Sequence, residues 1–171
     1  MMMLVAIASR HGSTNEIGRA IAEELRATGL VVEQRDFADV RDLQGYDAAV
    51  LGSAVYMGNW LSAARHFVDR HAARLAAMPV WLFSSGPIGE DDPQPHGDPV
   101  GVAALEEAIH PRGHRVFAGK LDPHELGFME RLAAKAVHAP AGDFRDWDAV
   151  RAWAREIAAA LGHPAAAGRR S

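Results

Sequence analysis

Hydrophobic positions along the chain fall into two alternating patterns. The first is a short, nearly unbroken apolar run. Such runs occupy Met3–Ala8, Val31–Asp36, Ala48–Gly52, Pro79–Ser84 and Arg115–Gly119, the last being the weakest. Continuous hydrophobicity without polar alternation predicts strands buried on both faces. Val31–Asp36 carries polar residues that predict an edge position. The second pattern has a helical period. Ile17, Ile21 and Leu25 recur every four residues. Leu61, Ala64, Val68, His71 and Leu75 recur at three and four, as do Trp147, Val150, Ala154, Ile157 and Leu161. Val102–Ile109 predicts a shorter helix ended by His110-Pro111, and Asp39–Leu43 a single turn. Alternating strands and helices predict a three-layer α/β fold, its parallel sheet covered by helices on both faces. Five strands at this chain length fit the order 2-1-3-4-5.

Ligands of such sheets bind beyond the carboxyl ends of the strands, where the strand order reverses. Here that point lies between the first and third strands. Ser9-Arg10-His11-Gly12-Ser13-Thr14 follows the first strand and leads into a helix. The first N–H groups of a helix lack internal partners and carry positive potential. A phosphate can take them together with the hydroxyls of Ser9, Ser13 and Thr14. Gly12 allows close backbone approach. Ser13-Thr14-Asn15-Glu16 also fits a capping box, which needs no ligand.

Flavin mononucleotide (FMN) needs such a cradle and two further loops that sandwich its ring. After the third strand come Ser53, Ala54, Val55, Tyr56, Met57, Gly58, Asn59 and Trp60, small residues mixed with aromatics that can lie against a ring. After the fourth come Ser84, Ser85, Gly86, Pro87 and Gly89, which offer hydroxyls and backbone N–H groups to ring edges. Each stretch taken alone also reads as an ordinary surface loop. Their joint placement at one sheet edge argues for the cofactor.

The 171 residues suffice for one well-buried domain. The net charge of -4 implies no basic face, so nucleic acid is not an expected partner. With no cysteine, thiol catalysis is excluded and redox chemistry must come from a bound cofactor. No signal peptide or membrane-span pattern is present, which makes the cytoplasm the expected location. Of nine histidines only His110 and His114 stand four apart, across Pro111 and Gly113, so no metal site is expected. No catalytic side chain is singled out. Trp81, Trp147 and Trp153 read as packing residues, whereas Trp60 reads either as a flavin contact or as core.

The chain resembles the flavodoxin-like flavoproteins, and within them the group containing bacterial quinone-linked protoporphyrinogen oxidases. The cradle of that family runs hydroxyl residue, any residue, hydroxyl residue, glycine, any residue, threonine. Ser9, Gly12 and Thr14 match it, while His11 stands where a hydroxyl is usual, as it also departs in the oxidase group. The likeness continues through Leu51–Gly58 and Phe67–Leu75, and returns at Asp146-Trp147-Asp148 and Ala154–Ala158. It implies an FMN-binding oxidoreductase with quinone or porphyrinogen as partners. It also implies that residues 120–146 are an insert used for partner or quinone contact. Phe128, Met129, Leu132 and Val137 with Arg131 and Lys135 could form an amphipathic face for a quinone, a porphyrin or a peripheral membrane contact. A helix that simply packs on the domain fits the same residues.

The expected organisation is one domain over 1–161 and a flexible tail over 162–171. Three functions fit: an oxidoreductase like the protoporphyrinogen oxidases, a flavodoxin-type electron carrier that serves a redox partner protein, and a flavin-free interaction module, which His11 keeps open. A Gly12→Asp change should weaken FMN binding strongly by crowding and like charge at the phosphate. Unchanged affinity in an FMN titration of that variant would refute the cradle.

Overall fold

The computed structural model describes residues 1–56, 58–86, 100–121, 142–143 and 145–164. Strand β1 spans Met2–Ala8, β2 Val31–Asp36, β3 Ala48–Tyr56, β4 Asn59–Trp60, β5 Val80–Ser85, β6 Gly113–Phe117, β7 Lys120–Leu121 and β8 Gly142–Asp143. Helix α1 spans Ser13–Ala27, α2 Ser62–Ala76, α3 Val100–Ile109 and α4 Trp147–Ala160. The main sheet has the order β2-β1-β3-β5-β6, with its five long strands parallel and the short β4 turned back on β3. Counting only the parallel strands, this is the 2-1-3-4-5 order expected from the sequence, in a flavodoxin-like α/β fold.

The apolar runs are continuous because both sheet faces are covered. Side chains alternate along a strand. In β1, Met3, Val5 and Ile7 join one buried cluster with Ile17, Ile21 and Leu25 of α1 and Trp153, Ala154 and Ile157 of α4. Leu4, Ala6 and Ala8 join the opposite cluster with Phe67, Val68 and Leu75 of α2 and Val102, Leu105 and Ile109 of α3. Full burial of each such Val, Leu, Ile or Phe side chain contributes about 1.5–3 kcal/mol. β2 is the edge, with Val31 60% exposed, as its polar residues implied. Gly52 is required by packing, because a Cβ there would lie 2.1 Å from the fully buried Phe83 ring.

Three boundaries differ from the sequence reading. β3 runs on to Tyr56 and hairpins through Gly58 (φ 76°) into β4, with Val55 opposite Trp60 and Tyr56 opposite Asn59. Much of the expected second loop is therefore ladder, which satisfies backbone groups that a loop would leave to water. β6 begins at Gly113 and ends at Phe117, two residues before the expected Gly119. The expected turn over Asp39–Leu43 is a 3-10 turn at Phe37–Asp39, because the Asp36 carboxylate accepts the Ala38 N–H at 3.0 Å. The expected helix within residues 120–146 and the end of the tail lie outside the described residues, although β7 and β8 pair antiparallel at the base of that insert.

His71 has a role that its helical periodicity hid. Its ring lies 4.6 Å from that of Phe67, and its Nε2 is buried without a hydrogen-bond partner among the described residues. Burial, then the neighbouring Arg70 charge, hold its pKa below the ordinary imidazole value, with Asp42 opposing. The folded pKa thus lies below the unfolded one, and the fold prefers the neutral ring. The associated stability is present above the unfolded pKa of about 6.5 and is lost as pH falls through the folded value. His71→Phe should flatten the fall in urea midpoint on the acid side of that value. A variant with the wild-type slope would show that another group carries the acid sensitivity.

Candidate functional site

The strand register brings the three expected loops together. Ala8 pairs with Ser53, Ala54 with Ser85, and Ser85 with Phe117, so β1, β3, β5 and β6 all end at one edge. The chain leaves β1 toward β2 on one side and β3 on the other, which makes the β1/β3 junction the switch point.

The first loop forms an open helix end. Gly12 is the N-cap of α1 in the left-handed region, φ 85°, and among the described residues no side chain caps the helix. Glycine adopts that conformation without strain. The Ser9 hydroxyl accepts the Gly12 N–H at 3.0 Å, which fixes the turn. The first helical N–H to bond back is that of Glu16, to the Gly12 carbonyl at 3.1 Å. The N–H groups of Ser13, Thr14 and Asn15 therefore have no acceptor within the helix. Ser13 Oγ is buried without a hydrogen-bond partner among the described residues. The capping box read from Ser13 and Glu16 does not form, because Ser13 already lies inside the helix and the Glu16 carboxylate is drawn to Arg145 at 2.5 Å.

The second loop contributes one exposed aromatic. Tyr56 is 45% exposed, with the Arg10 guanidinium 4.8 Å from its ring centroid, so the first and second loops are joined by a cation–π contact. The half-buried His11 lies on the same turn as Arg10. Other expected contacts are placed differently. Trp60 is 1% exposed, and its indole N–H donates to Ser84 Oγ at 2.8 Å. It packs in the core on the α2/α3 side and offers no ring face to a ligand. Ser53 Oγ donates to the Ala54 carbonyl at 2.8 Å and accepts the Leu61 N–H at 3.0 Å. Ser84 is fully buried. These groups brace the loops from beneath. Ser85 is buried at the strand end, and Gly86 (φ 101°) donates its N–H to the Phe117 carbonyl at 2.9 Å. Ala54, Val55, Gly58 and Asn59 lie in or beside the hairpin, whereas Met57, Pro87 and Gly89 are outside the described residues.

Two functional supports carried no local signal in the sequence. His114 Nε2 lies 2.8 Å from Ser84 Oγ, and its Nδ1 lies 3.4 Å from the Glu106 carboxylate. The chain Trp60–Ser84–His114–Glu106 thus links the hairpin to α3 across three strands. Arg145 is the second support. Its side chain is 4% exposed, reaches Asp143 through two hydrogen bonds at 2.8 and 2.6 Å, and lies 4.6 Å from the Trp147 ring centroid. Those hydrogen bonds hold the Asp143 carboxyl below the usual carboxylate range and raise Arg145 above its own ordinary value.

A family model described as a flavodoxin domain matches residues 4–148. The chain belongs to that family. It is a flavodoxin-like protein of the flavin-binding redox class read from the sequence. The chain is 27% identical over 175 residues to the protoporphyrinogen IX dehydrogenase (quinone) of Escherichia coli K12, covering 92% of this chain and 95% of that protein. Among solved structures it is similar to an archaeal flavodoxin, with a TM-score of 0.63, 18% identity, and coverage of 95% of this chain and 100% of that one. A mutant Pseudomonas aeruginosa flavodoxin gives a TM-score of 0.61 at 17% identity, covering 95% and 99% of the two chains. At these identities the structures establish the fold.

Ser84→Ala should strand the buried Trp60 N–H and His114 Nε2 together. An unsatisfied buried group costs about 1–3 kcal/mol. Urea unfolding should show a loss of that size, and a change below a few tenths would mean the bond does not hold the hairpin.

Proposed function

We propose that the protein binds FMN non-covalently at the carboxyl edge of its sheet and acts as an oxidoreductase that passes electrons from a reduced substrate to a quinone. The observation that carries the cofactor is the open end of α1. Among the described residues its first turn has no side-chain cap and the buried Ser13 Oγ beside it has no hydrogen-bond partner. A phosphate dianion meets both needs: it accepts several N–H bonds at once and complements the helix dipole. Ser9, Gly12, Ser13 and Thr14 would hold the phosphate. The hairpin residues Ala54 to Asn59 and the segment Ser85 to Gly89 would flank the ring, with Tyr56 as the aromatic at its rim. Trp60, Ser53 and Ser84 serve this site by holding the loops rather than by touching the ring.

Bound flavin supplies transfer of electrons between a two-electron donor and an acceptor. The residues of this chain position it, exclude water from its phosphate and present backbone N–H groups at the loop ends. The substrate class rests on the Escherichia coli relative, whose name gives protoporphyrinogen IX as the reductant and quinone as the acceptor. The base of the insert, β7 and β8, follows β6 and therefore lies at the same edge of the sheet. We place contact with quinone, porphyrinogen or a membrane surface on this insert. No helix among the described residues is long and apolar enough to cross a membrane.

A flavodoxin-type electron carrier is the second reading. It is favoured by the match along the full length of free-standing flavodoxins. The purified protein should be yellow, or should retain added FMN with its fluorescence quenched. A colourless protein that does not retain FMN would refute the cofactor. In FMN-loaded protein, oxidation of protoporphyrinogen with a quinone acceptor should proceed. Its absence would leave the electron carrier.

A further inference from the structure

The charges around the open end of α1 present a conflict. Glu16 lies in the first turn of that helix. Helical side chains lean toward the N-terminus. Glu16 therefore leans toward the N–H groups of the first turn. Left to itself, this carboxylate competes for the donors that a phosphate would use, and it adds a like charge beside that phosphate.

Arg145 removes the conflict. Its Nη1 pairs with Glu16 Oε2 at 2.5 Å and lies 3.4 Å from the Ser13 carbonyl oxygen. The guanidinium is held in that pose from the other side. Asp143 takes Nε and Nη2, and the Trp147 ring lies against it. At 4% exposure the side chain has little freedom, whereas Glu16 at 50% is free to swing if released. An exposed ion pair of two flexible chains contributes little. This pair is different because one partner is fixed by a fork and a ring stack. A bidentate guanidinium geometry of this kind is not reproduced by lysine.

We propose that Arg145 is a positioning residue for the anion site, which holds the Glu16 carboxylate off the first N–H groups of α1 and keeps them open to a phosphate. Arg145 acts through Glu16 and does not touch the phosphate. It also ties the anion site to the base of the insert, since Asp143 is a residue of β8. This inference rests on the flavin reading only through the phosphate group of the ligand.

The test is a set of binding titrations with FMN and with riboflavin, which has the same ring and no phosphate. Arg145→Gln should weaken FMN by about 5–30-fold, the effect of a charge at a helix end. Riboflavin affinity should stay within about twofold of wild type. Adding Glu16→Gln to Arg145→Gln should restore FMN binding to near the wild-type level. Equal weakening of both ligands would reduce Arg145 to a general structural role and overturn the proposal. A double variant as weak as Arg145→Gln would overturn it too, because the arginine charge would then act on the phosphate directly. If wild type binds neither flavin, the flavin reading fails separately. Inorganic phosphate, followed by the amide resonances of Ser13, Thr14 and Asn15, then decides the proposal. It stands if phosphate shifts those amides in wild type and not in Arg145→Gln, and falls if both respond alike or neither responds.

Discussion

The site depends on hydrogen bonds that the side chains of the described residues do not make. At the start of α1, Gly12 turns the chain with φ 85°, and among the described residues no side chain closes the helix end. Three successive N–H groups and the Ser13 hydroxyl therefore face the switch point of the sheet without an acceptor from the helix. The buried Ser13 Oγ carries a cost comparable to a lost hydrogen bond unless something accepts or donates to it. That cost is tolerated because a parallel sheet holds the turn rigidly from behind. β1 is flanked by β2 and β3 and buried on both faces.

The rest of the edge keeps that opening in place. Ser9 fixes the turn from inside the loop, and Arg10 over Tyr56 ties it to the hairpin. Trp60, Ser84, His114 and Glu106 run from the hairpin to α3. Trp60 Nε1 can only donate, so a Ser84 hydroxyl that accepts from it is free to donate to His114 Nε2, and Nδ1–H then faces Glu106. In that direction Trp60 Nε1, Ser84 Oγ and His114 Nε2 are each satisfied within the chain, which suits a buried polar network. At the base of the insert, Arg145 pairs with Glu16 in the first turn of α1. The polar groups at this edge thus divide into those that face the opening and those that brace it.

The expected strand order and the joint placement of three loops were legible because they follow from hydrophobic period and chain order. Val31–Asp36 was readable as an edge by its polar residues, and Trp81 as core by its place mid-strand. The roles of Trp60, Ser53 and Ser84 were not legible. An aromatic or hydroxyl in a loop sequence looks the same whether it points at a ligand or beneath the loop. Only the hairpin, in which Val55 faces Trp60, turns the indole inward. His114 gave no signal because its partner, Ser84, lies 30 residues away on a neighbouring strand.

By itself, then, the sequence determined the layers, the strand order and the glycine turn ahead of the first helix. These depend on the spacing of apolar residues and on the conformation that Gly12 permits. It favoured the phosphate cradle through the joint placement of three loops, while the capping box still fitted the same residues. The tertiary structure shows that the capping box does not form, because Ser13 lies inside α1 and Glu16 pairs with Arg145. Arg145 reaches Glu16 across 129 residues of chain and pairs with the carboxylate that the capping box would have used. A choice between two acceptors for the same N–H groups depends on which charges the fold brings within contact distance, and local sequence does not contain that information.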